Sequence, residues 1–175
     1  MKIIVATNMN NVIGSEGKIP WTVKEDLKHF YQKTVNNIVI MGRKTYESLG
    51  SKPLSKRYNI ILTSQKDPKN KKNLFFANNL EQAVFAAEEH WRMNPHKTIY
   101  VIGGSGVYDL FLRKNYISEI ILTQVWDKSE GDTFFEVPEG WKIHDNWDIS
   151  EKATIYVYKN RKPSKKLFSK RNRIN

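Results

Sequence analysis

The chain has 175 residues, of which 39% are hydrophobic, so it is long enough for one compact domain and too short for two ordinary ones. It contains no cysteine, which excludes disulfides, thiolate zinc sites and cysteine nucleophiles. Of the net charge of +11, eight cations and no acid lie from residue 159 onward, so the other 21 cations and 18 acids leave the rest of the chain at +3. With no signal-peptide pattern and no bilayer-spanning apolar run, we expect a cytoplasmic protein, monomeric by default.

Short runs rich in isoleucine and valine alternate with segments of helical period, which predicts an α/β fold with helices on the faces of a sheet. The runs at 38–41 and 98–102 lack strict polar alternation, so they indicate central parallel strands that are buried on both faces. We expect the last strands to pair antiparallel. The predicted strands lie near 2–7, 38–41, 58–63, 73–77, 98–102, 117–125 and 153–159.

Two predicted helices begin with a capping-box pattern. Thr22 and Glu25 open a helix that runs to about Asn36, and Asn79 and Gln82 open another in the same way. Helical spacing then predicts which residues face the core. In the first helix these are Val23, Leu27, Phe30 and Thr34, and in the second Leu80, Ala83, Val84, Ala87 and Trp91.

Asp26 is the titratable residue that the helical period places on or beside this buried face. Burial disfavours the charged form of a carboxyl group and raises its pKa, unless a cation or hydrogen-bond donors hold it ionised. Asp26 is therefore either a functional carboxylate or a first-turn acid that complements the helix dipole.

Cations follow the buried strand at 38–41. Gly42 ends that strand, and a short helix follows that is closed by Gly50. Arg43 and Lys44 stand at the helix N-terminus, where the macrodipole repels cations, so the arrangement predicts a bound anion such as phosphate. The alternative is a pair of solvated surface cations.

A second strand runs into a glycine turn and a helix at residues 103–106. The spacing differs from the dinucleotide fingerprint, which needs a third glycine. Adjacent glycines nevertheless let a ligand approach the backbone and expose helical N–H groups. Two such strand ends in one sheet would suit the two phosphates of a dinucleotide.

The remaining segments carry no predicted chemistry. The four histidines show no metal-ligand spacing, so we predict no metal site. The basic segment 161–175 has few apolar residues and one sign of charge, so we expect it to be disordered. An alternative hypothesis is that this segment binds nucleic acid, as a secondary property of the protein.

Seven motifs, in this order and at similar spacing, resemble the dihydrofolate reductase family over about residues 1–160. The motifs are Val12-Ile13-Gly14, Ile19-Pro20-Trp21, Asp26-Leu27 with Phe30, Met41-Gly42-Arg43-Lys44-Thr45 with Glu47-Ser48, Asn59-Ile60-Ile61-Leu62-Thr63-Ser64, Ile102-Gly103-Gly104 and Gly131-Asp132-Thr133. The resemblance implies a mostly parallel, mixed eight-stranded sheet flanked by helices on both faces. It also implies reduction of dihydrofolate by NADPH in support of one-carbon metabolism, sensitivity to antifolates, and a reductase domain at 1–160 with a separate tail at 161–175.

The resemblance assigns substrate roles residue by residue. Asp26 would promote protonation of N5 of the pterin, Thr123 would orient Asp26, and Trp21 completes the catalytic group. Arg57 would bind the glutamate α-carboxylate of the substrate. The rest of the substrate site would consist of Ile4, Val5, Leu27, Phe30, Leu49, Leu54 and Ile102.

The resemblance also assigns the cofactor site. Ala6 and Ile13 would hold the carboxamide through backbone groups, and Arg43 and Ser64 would contact the 2′-phosphate, which favours NADPH over NADH. A loop at 14–23 would close over the nicotinamide, and the Gly103–Gly104 bond is expected to be cis. Other cofactor residues would be Gly14, Ile19, Gly42, Lys44, Thr45, Leu62, Thr63, Gly103, Gly104, Ser105, Gly106, Val107 and Tyr108.

Several positions depart from the family pattern, and two further interpretations stay open. The departures are Lys24, Tyr46, Ser55-Lys56 and Glu136, with one residue added near Ser51-Lys52. One rival is a reductase of the same fold acting on a pyrimidine of the riboflavin pathway, which should not need both Asp26 and Arg57. The other is an inactive homologue that still binds NADPH.

Overall fold

The computed structural model describes residues 1–65, 69–160 and 165. The tail predicted at 161–175 therefore lies outside the described residues except for Lys165. Ten strands and four helices occur in the described part of the chain. They are β1 (Lys2–Thr7), β2 (Val12–Gly14), α1 (Lys24–Thr34), β3 (Ile38–Gly42), α2 (Arg43–Ser48), β4 (Tyr58–Leu62), β5 (Leu74–Ala77), α3 (Leu80–Met93), β6 (Ile99–Val101), α4 (Ser105–Arg113), β7 (Glu119–Val125), β8 (Thr133–Phe134), β9 (Trp141–Ser150) and β10 (Ala153–Asn160).

Eight strands form one sheet in the order β5-β4-β3-β6-β1-β7-β10-β9. The first six in this order run parallel, whereas β10 pairs antiparallel with both of its neighbours. The predicted mixed, mostly parallel sheet is thereby confirmed, including its antiparallel end. Within the described residues, no helix is long and apolar enough to cross a membrane.

Both faces of the sheet are covered by helices. Side chains alternate along β1, so Ile3 and Val5 pack on one face and Ile4 on the other. Residues of α3 and α4 complete the core on the first face, whereas Phe30 of α1 and Tyr46 of α2 pack on the second. The parallel strands place all of their carboxyl ends at one edge, which is where ligands bind in open α/β sheets.

The predicted cap of α3 is confirmed, but the cap of α1 is wrong. The Asn79 side chain accepts a hydrogen bond from the backbone N–H of Gln82 at 2.8 Å. Helix α1 begins one residue later than the capping pattern requires, with Val23 as N-cap and no side-chain cap. Thr22 is therefore exposed outside the helix, because the buried Val23 fixes where the first turn starts.

Three strands were not predicted. Strands β2 and β8 have three and two residues, too few for a periodic pattern to emerge. Strand β9 lies at the edge of the sheet and most of its residues are exposed. Its polar sequence follows from that position, because an edge strand with a solvated face needs few apolar side chains.

His29 makes the stability of the fold depend on pH. It is 8% exposed on α1, its ring meets Trp147 edge-on at 6.4 Å, and neither ring nitrogen has a hydrogen-bond partner among the described residues. Burial, and secondarily Lys33, lowers the pKa of His29 below 6.5. The folded state therefore resists the proton that the unfolded chain accepts, so stability present above the unfolded pKa is lost as the pH falls.

We expect the melting temperature to fall as the pH is lowered from about 7 to 5. In His29→Phe this fall should be smaller, because the substituted side chain keeps the apolar contact and does not titrate. Thermal unfolding of both proteins across this pH range measures the difference. Equal pH slopes would show that His29 does not control acid stability.

Candidate active site

Asp26 lies where the helix phase predicted, beside the buried face of α1. It is half-buried on α1, and burial raises the pKa of its carboxyl group, whereas a hydrogen bond from the Thr123 side chain opposes this shift. Thr123 is 1% exposed on β7 and lies beside Ala6 of β1 in the sheet. The structure thus brings together the predicted carboxylate and the hydroxyl group predicted to orient it.

The residues predicted to line the substrate site divide into three groups. Ile4, Phe30, Leu54 and Ile102 belong to the apolar cluster on the α1 face of the sheet. Leu27 and Leu49 are 56% and 41% exposed, so the prediction that Leu27 faces the core is wrong. Val5 packs on the opposite face of the sheet, so its side chain does not lie with that of Ile4.

Trp21 lies in a separate small cluster from that substrate face. It packs against Val23, Val125 and Ala153 at the end of β7. Val125 is two residues beyond Thr123 on the same strand. Trp21 therefore lies at the end of β7, close in the chain to the hydroxyl group that is predicted to orient Asp26. Its cluster also ties the end of the 14–23 loop to the sheet.

Arg57 is a buried cation at the far end of this face. It is 6% exposed, its Nε and Nη2 donate to Thr34 Oγ1 at 3.2 and 3.0 Å, and Nη1 donates to the Ser55 carbonyl at 2.8 Å. The guanidinium also lies 4.8 Å from the ring centre of Tyr31. No described carboxylate pairs with it, so its charge and remaining N–H groups are available to an anionic ligand.

The starts of α2 and α4 meet at the carboxyl ends of the neighbouring strands β3 and β6. The backbone N–H of Gly42 donates to the Gly103 carbonyl at 2.8 Å. The Gly103–Gly104 peptide bond is cis, as predicted. A Cβ on Gly42 would lie 3.0 Å from Val107 Cγ2, and one on Gly104 would lie 3.5 Å from Thr45 Oγ1. A side chain at residue 42 would press on the first turn of α4, so glycine at this position lets the two helix starts lie close together.

Two cofactor predictions need qualification from the geometry. Arg43 is not left without a counter-ion, because its Nη1 lies 2.6 Å from Glu47 Oε1 one turn along α2. Both side chains are about half exposed, so the pair exchanges readily with solvent or an incoming anion. Ser64 follows the end of β4 and is exposed.

The other predicted cofactor residues lie on the strand ends and helix starts around this space. Leu62 ends β4, and Thr63 is buried with its hydroxyl accepting from the backbone N–H of Gln65 at 3.1 Å. Tyr108 is buried under Gly103 and its hydroxyl donates to the Ile4 carbonyl at 3.0 Å. Lys44, Ile19 and Gly106 are exposed, whereas Ala6, Ile13, Gly14 and Ser105 are half-buried.

The 14–23 loop is fastened to the chain segment before β8. Asp132 donates its backbone N–H to the Gly14 carbonyl at 3.1 Å, and its Oδ2 accepts the backbone N–H of Glu16 at 2.8 Å. A Cβ on Gly131 would lie 2.4 Å from Val12 Cγ1 and 2.5 Å from the Gly14 carbonyl oxygen. The sequence motif at 131–133 contained these residues, but only the structure shows that they hold the loop.

Together these elements form an α/β fold in which two helix starts meet at neighbouring strand ends, with one half-buried carboxylate on the α1 face of the sheet. This arrangement is typical of dinucleotide-dependent oxidoreductases. The sequence profile described as "Dihydrofolate reductase" matches residues 1–163. The chain belongs to the dihydrofolate reductase family. The prediction of an NADPH-dependent enzyme of this family is thereby confirmed.

Individual relatives span nearly the whole chain. It is 31% identical over 162 residues to a dihydrofolate reductase of Ureaplasma parvum, covering 93% of this chain and 98% of the relative. It is 38% identical over 143 residues to that of Haemophilus influenzae, covering 81% and 82%. A solved structure of the Enterococcus faecalis enzyme, complexed with NADP(H) and RAB-propyl, superposes with a TM-score of 0.76 at 29% identity, covering 92% of this chain and 96% of that one.

Proposed function

We propose that this protein reduces dihydrofolate to tetrahydrofolate with NADPH. The observation that carries the proposal is the pairing of two groups on one face of the sheet: the half-buried Asp26 that Thr123 hydrogen-bonds, and the buried Arg57 without a described carboxylate partner. An elongated substrate with a protonatable ring at one end and a carboxylate at the other matches both groups. The rival pyrimidine substrate should not need both groups.

The carboxylate end of the substrate is bound by Arg57. Its fork of N–H donors matches a carboxylate bidentately, and the bonds to Thr34 and Ser55 fix the orientation of the guanidinium. Leu54 is held next to it, since the Asn59 side chain bonds both the N–H and the carbonyl of Leu54. This end of the site therefore contributes binding affinity and fixes the position of the substrate along the site.

The ring end of the substrate meets Asp26. The carboxylate accepts hydrogen bonds from the amino group and ring nitrogen of the pterin, and its raised pKa favours delivery of a proton towards N5. Thr123 orients the carboxyl group and limits the pKa shift. The apolar side chains of Ile4, Phe30 and Ile102 keep this end of the cleft dry, which strengthens these polar interactions.

The cofactor half of the site is formed by the helix starts and the 14–23 loop. Bound NADPH supplies the hydride that is transferred to C6 of the pterin. Thr45, Lys44 and the turn at 104–107 hold the pyrophosphate, Arg43 and Ser64 the 2′-phosphate, and the backbones of Ala6 and Ile13 the carboxamide. Asp132 fastens the loop that excludes water.

The same polar edge that binds the pterin should bind antifolates, because a protonated diaminopyrimidine forms a charged pair with Asp26.

Three expectations stay predictions: the cytoplasmic location, the monomeric state, and nucleic-acid binding by 161–175. The role in one-carbon metabolism follows only if the proposed reaction is correct. Initial rates of NADPH oxidation in the presence of dihydrofolate test that reaction, and no turnover by folded protein that binds NADPH would reject it.

Arg43→Ala should weaken discrimination between the two dinucleotides. Losing a charged contact to the 2′-phosphate should raise the KM for NADPH roughly ten-fold, whereas the KM for NADH should stay within two-fold. Steady-state rates with both donors measure the change. Arg113→Ala is the matched control, because Arg113 forms a comparable exposed pair with Asp109 one turn away on α4. Equal effects on the two donors would contradict the assignment of Arg43.

A further inference from the structure

Asn8 is a fully buried polar side chain that joins two segments distant in sequence. It is 0% exposed. Its Nδ2 donates to the Ser129 carbonyl at 2.7 Å and to Asp127 Oδ1 at 3.3 Å, and its Oδ1 accepts the backbone N–H groups of Asn10 and Val12 at 2.9 and 3.1 Å. Both donors and both lone pairs of the amide are used, so the network fixes its orientation.

These bonds lie at the base of the small sheet formed by β2 and β8. Val12 pairs with Phe134 in that sheet, and Asn8 holds the N–H of Val12 at its start. On the other side, Asn8 holds the carbonyl of Ser129, which leads into the segment before β8. The side chain thus sets the distance between the two chain segments that enter the small sheet.

Two contacts of the next residues, one between backbones and one donated by a side chain, support the same junction. The N–H of Met9 donates to the Asp127 carbonyl at 3.0 Å, and Asn10 Nδ2 donates to the Lys128 carbonyl at 3.1 Å. Met9 and Asn10 are exposed, whereas Asn8 is buried. Four hydrogen bonds converge on the Asn8 amide, and the one to Val12 is fully buried, so this side chain is the main fixed point of the junction.

The position of this junction governs the contacts that fasten the 14–23 loop. Ser129 is three residues before Asp132, which holds the N–H of Glu16 and the carbonyl of Gly14. Gly131 between them packs so closely on Val12 that no β-carbon fits. Residues 129 and 132 are thus joined by a short segment that is closely packed at Gly131.

We propose that Asn8 is a positioning residue for the hydride-transfer step, acting through the contact between Asp132 and Glu16. The inference rests on the proposed function, because it gives the 14–23 loop its role in covering the reacting rings. Asn8 itself lies outside the predicted substrate and cofactor sites. It acts by holding the segment that holds the loop.

Asn8→Ala tests the proposal. In single turnovers with saturating NADPH and dihydrofolate, the rate of hydride transfer should fall roughly ten-fold, since small misplacements of covering groups are costly, while the dissociation constant of dihydrofolate changes less than two-fold. Exchange of the Glu16 backbone amide with solvent, followed by NMR, should accelerate in the same variant. If this variant does not fold, Asn8→Ser retains one acceptor and should show the same changes at smaller amplitude.

Asn59→Ala is the matched control. Asn59 is equally buried and uses its amide in four hydrogen bonds, but these hold Leu54, Arg57 and Asn73 at the substrate end. Its variant should weaken dihydrofolate binding and leave the exchange of the Glu16 amide unchanged. The two buried asparagines should thus affect opposite ends of the site.

A double variant decides whether Asn8 acts through Asp132. Asn8→Ala combined with Asp132→Ala should transfer hydride no more slowly than Asp132→Ala alone, because the second contact is already lost. The proposal would be overturned if the two substitutions slowed hydride transfer by factors that multiply in the double variant. It would also be overturned if the Asn8→Ala protein were less stable than the parent but transferred hydride and exchanged its Glu16 amide at the parent's rates. Absent turnover in the parent would instead reject the proposed function, and the exchange of Glu16 would still report on Asn8.

Discussion

Replacing Asp26 by asparagine should lower kcat/KM for dihydrofolate at neutral pH by about a hundred- to a thousand-fold, the usual contribution of a positioned acid or base. Asparagine keeps the shape of the side chain and the possibility of a bond to Thr123, but it carries no proton for N5 and no charge to polarise the ring. NADPH binding should stay within two-fold, because the helix starts of α2 and α4 are unaffected.

The pH profile gives this prediction its specificity. In the variant the proton must come from solvent, so its relative activity should recover as the pH falls and N5 becomes protonated without help. The variant should also be at least as stable as the parent at neutral pH, since burial raises the pKa of Asp26 and so disfavours its ionised form in the fold.

Glu25→Gln is the control for removing a carboxylate from the first turn of α1. Glu25 is exposed and adjacent to Asp26, so its substitution should change kcat/KM less than two-fold. Comparable losses in both variants would mean that the acidity of the helix start, rather than the cleft carboxylate, supports turnover. An Asp26→Asn protein that keeps full activity at neutral pH would remove Asp26 from the mechanism.

Replacing Arg57 by leucine should raise the KM for dihydrofolate roughly ten- to a hundred-fold, the equivalent of one or two charged hydrogen bonds. The value of kcat should change little, because the carboxylate is bound alike in the ground state and the transition state. Arg57→Lys should recover only part of the affinity, since a point charge lacks the bidentate geometry.

Two comparisons isolate the carboxylate contact in these measurements. A dihydropterin without the glutamate group should be reduced equally well by the parent and Arg57→Leu. Lys56→Asn removes an adjacent exposed cation, and asparagine tolerates the φ of 57° at that position, so its KM should match that of the parent. If Arg57→Leu affects the truncated substrate just as strongly, the arginine supports the fold of the cleft rather than the carboxylate.

The parts of the fold that the sequence predicted are those with a strong period or an explicit cap. The buried strands 38–41 and 98–102 and the cap at Asn79 depend on local patterns that the tertiary structure does not alter. The cap at Thr22 was wrong because Val23, buried against Val125 and Ala153, starts the helix one residue later. Packing between distant segments decided that boundary, and no local pattern records it.

The site was predicted only in part, because contacts between distant segments also decide which residues it contains. Helix phase placed Asp26 correctly beside the buried face of α1. The same phase placed Leu27 in the core, because a ligand-binding surface is as apolar as a buried one. The pair between Arg43 and Glu47 has the i, i+4 spacing of helical ion pairs, so the sequence also offers Arg43 a counter-ion within its own helix. Asn8 gave no sequence signal, since its partners at 127–129 lie more than a hundred residues away.

The transfer of deuterium from labelled NADPH to dihydrofolate tests the central claim most directly. Single turnovers of the purified protein should yield tetrahydrofolate carrying one deuterium at C6, at the rate at which the reduced nicotinamide is lost. The Asp26→Asn protein should give the same labelled product far more slowly. A folded protein that binds labelled NADPH but returns dihydrofolate unchanged and unlabelled would contradict the account, and would favour the pyrimidine reductase or an inactive homologue.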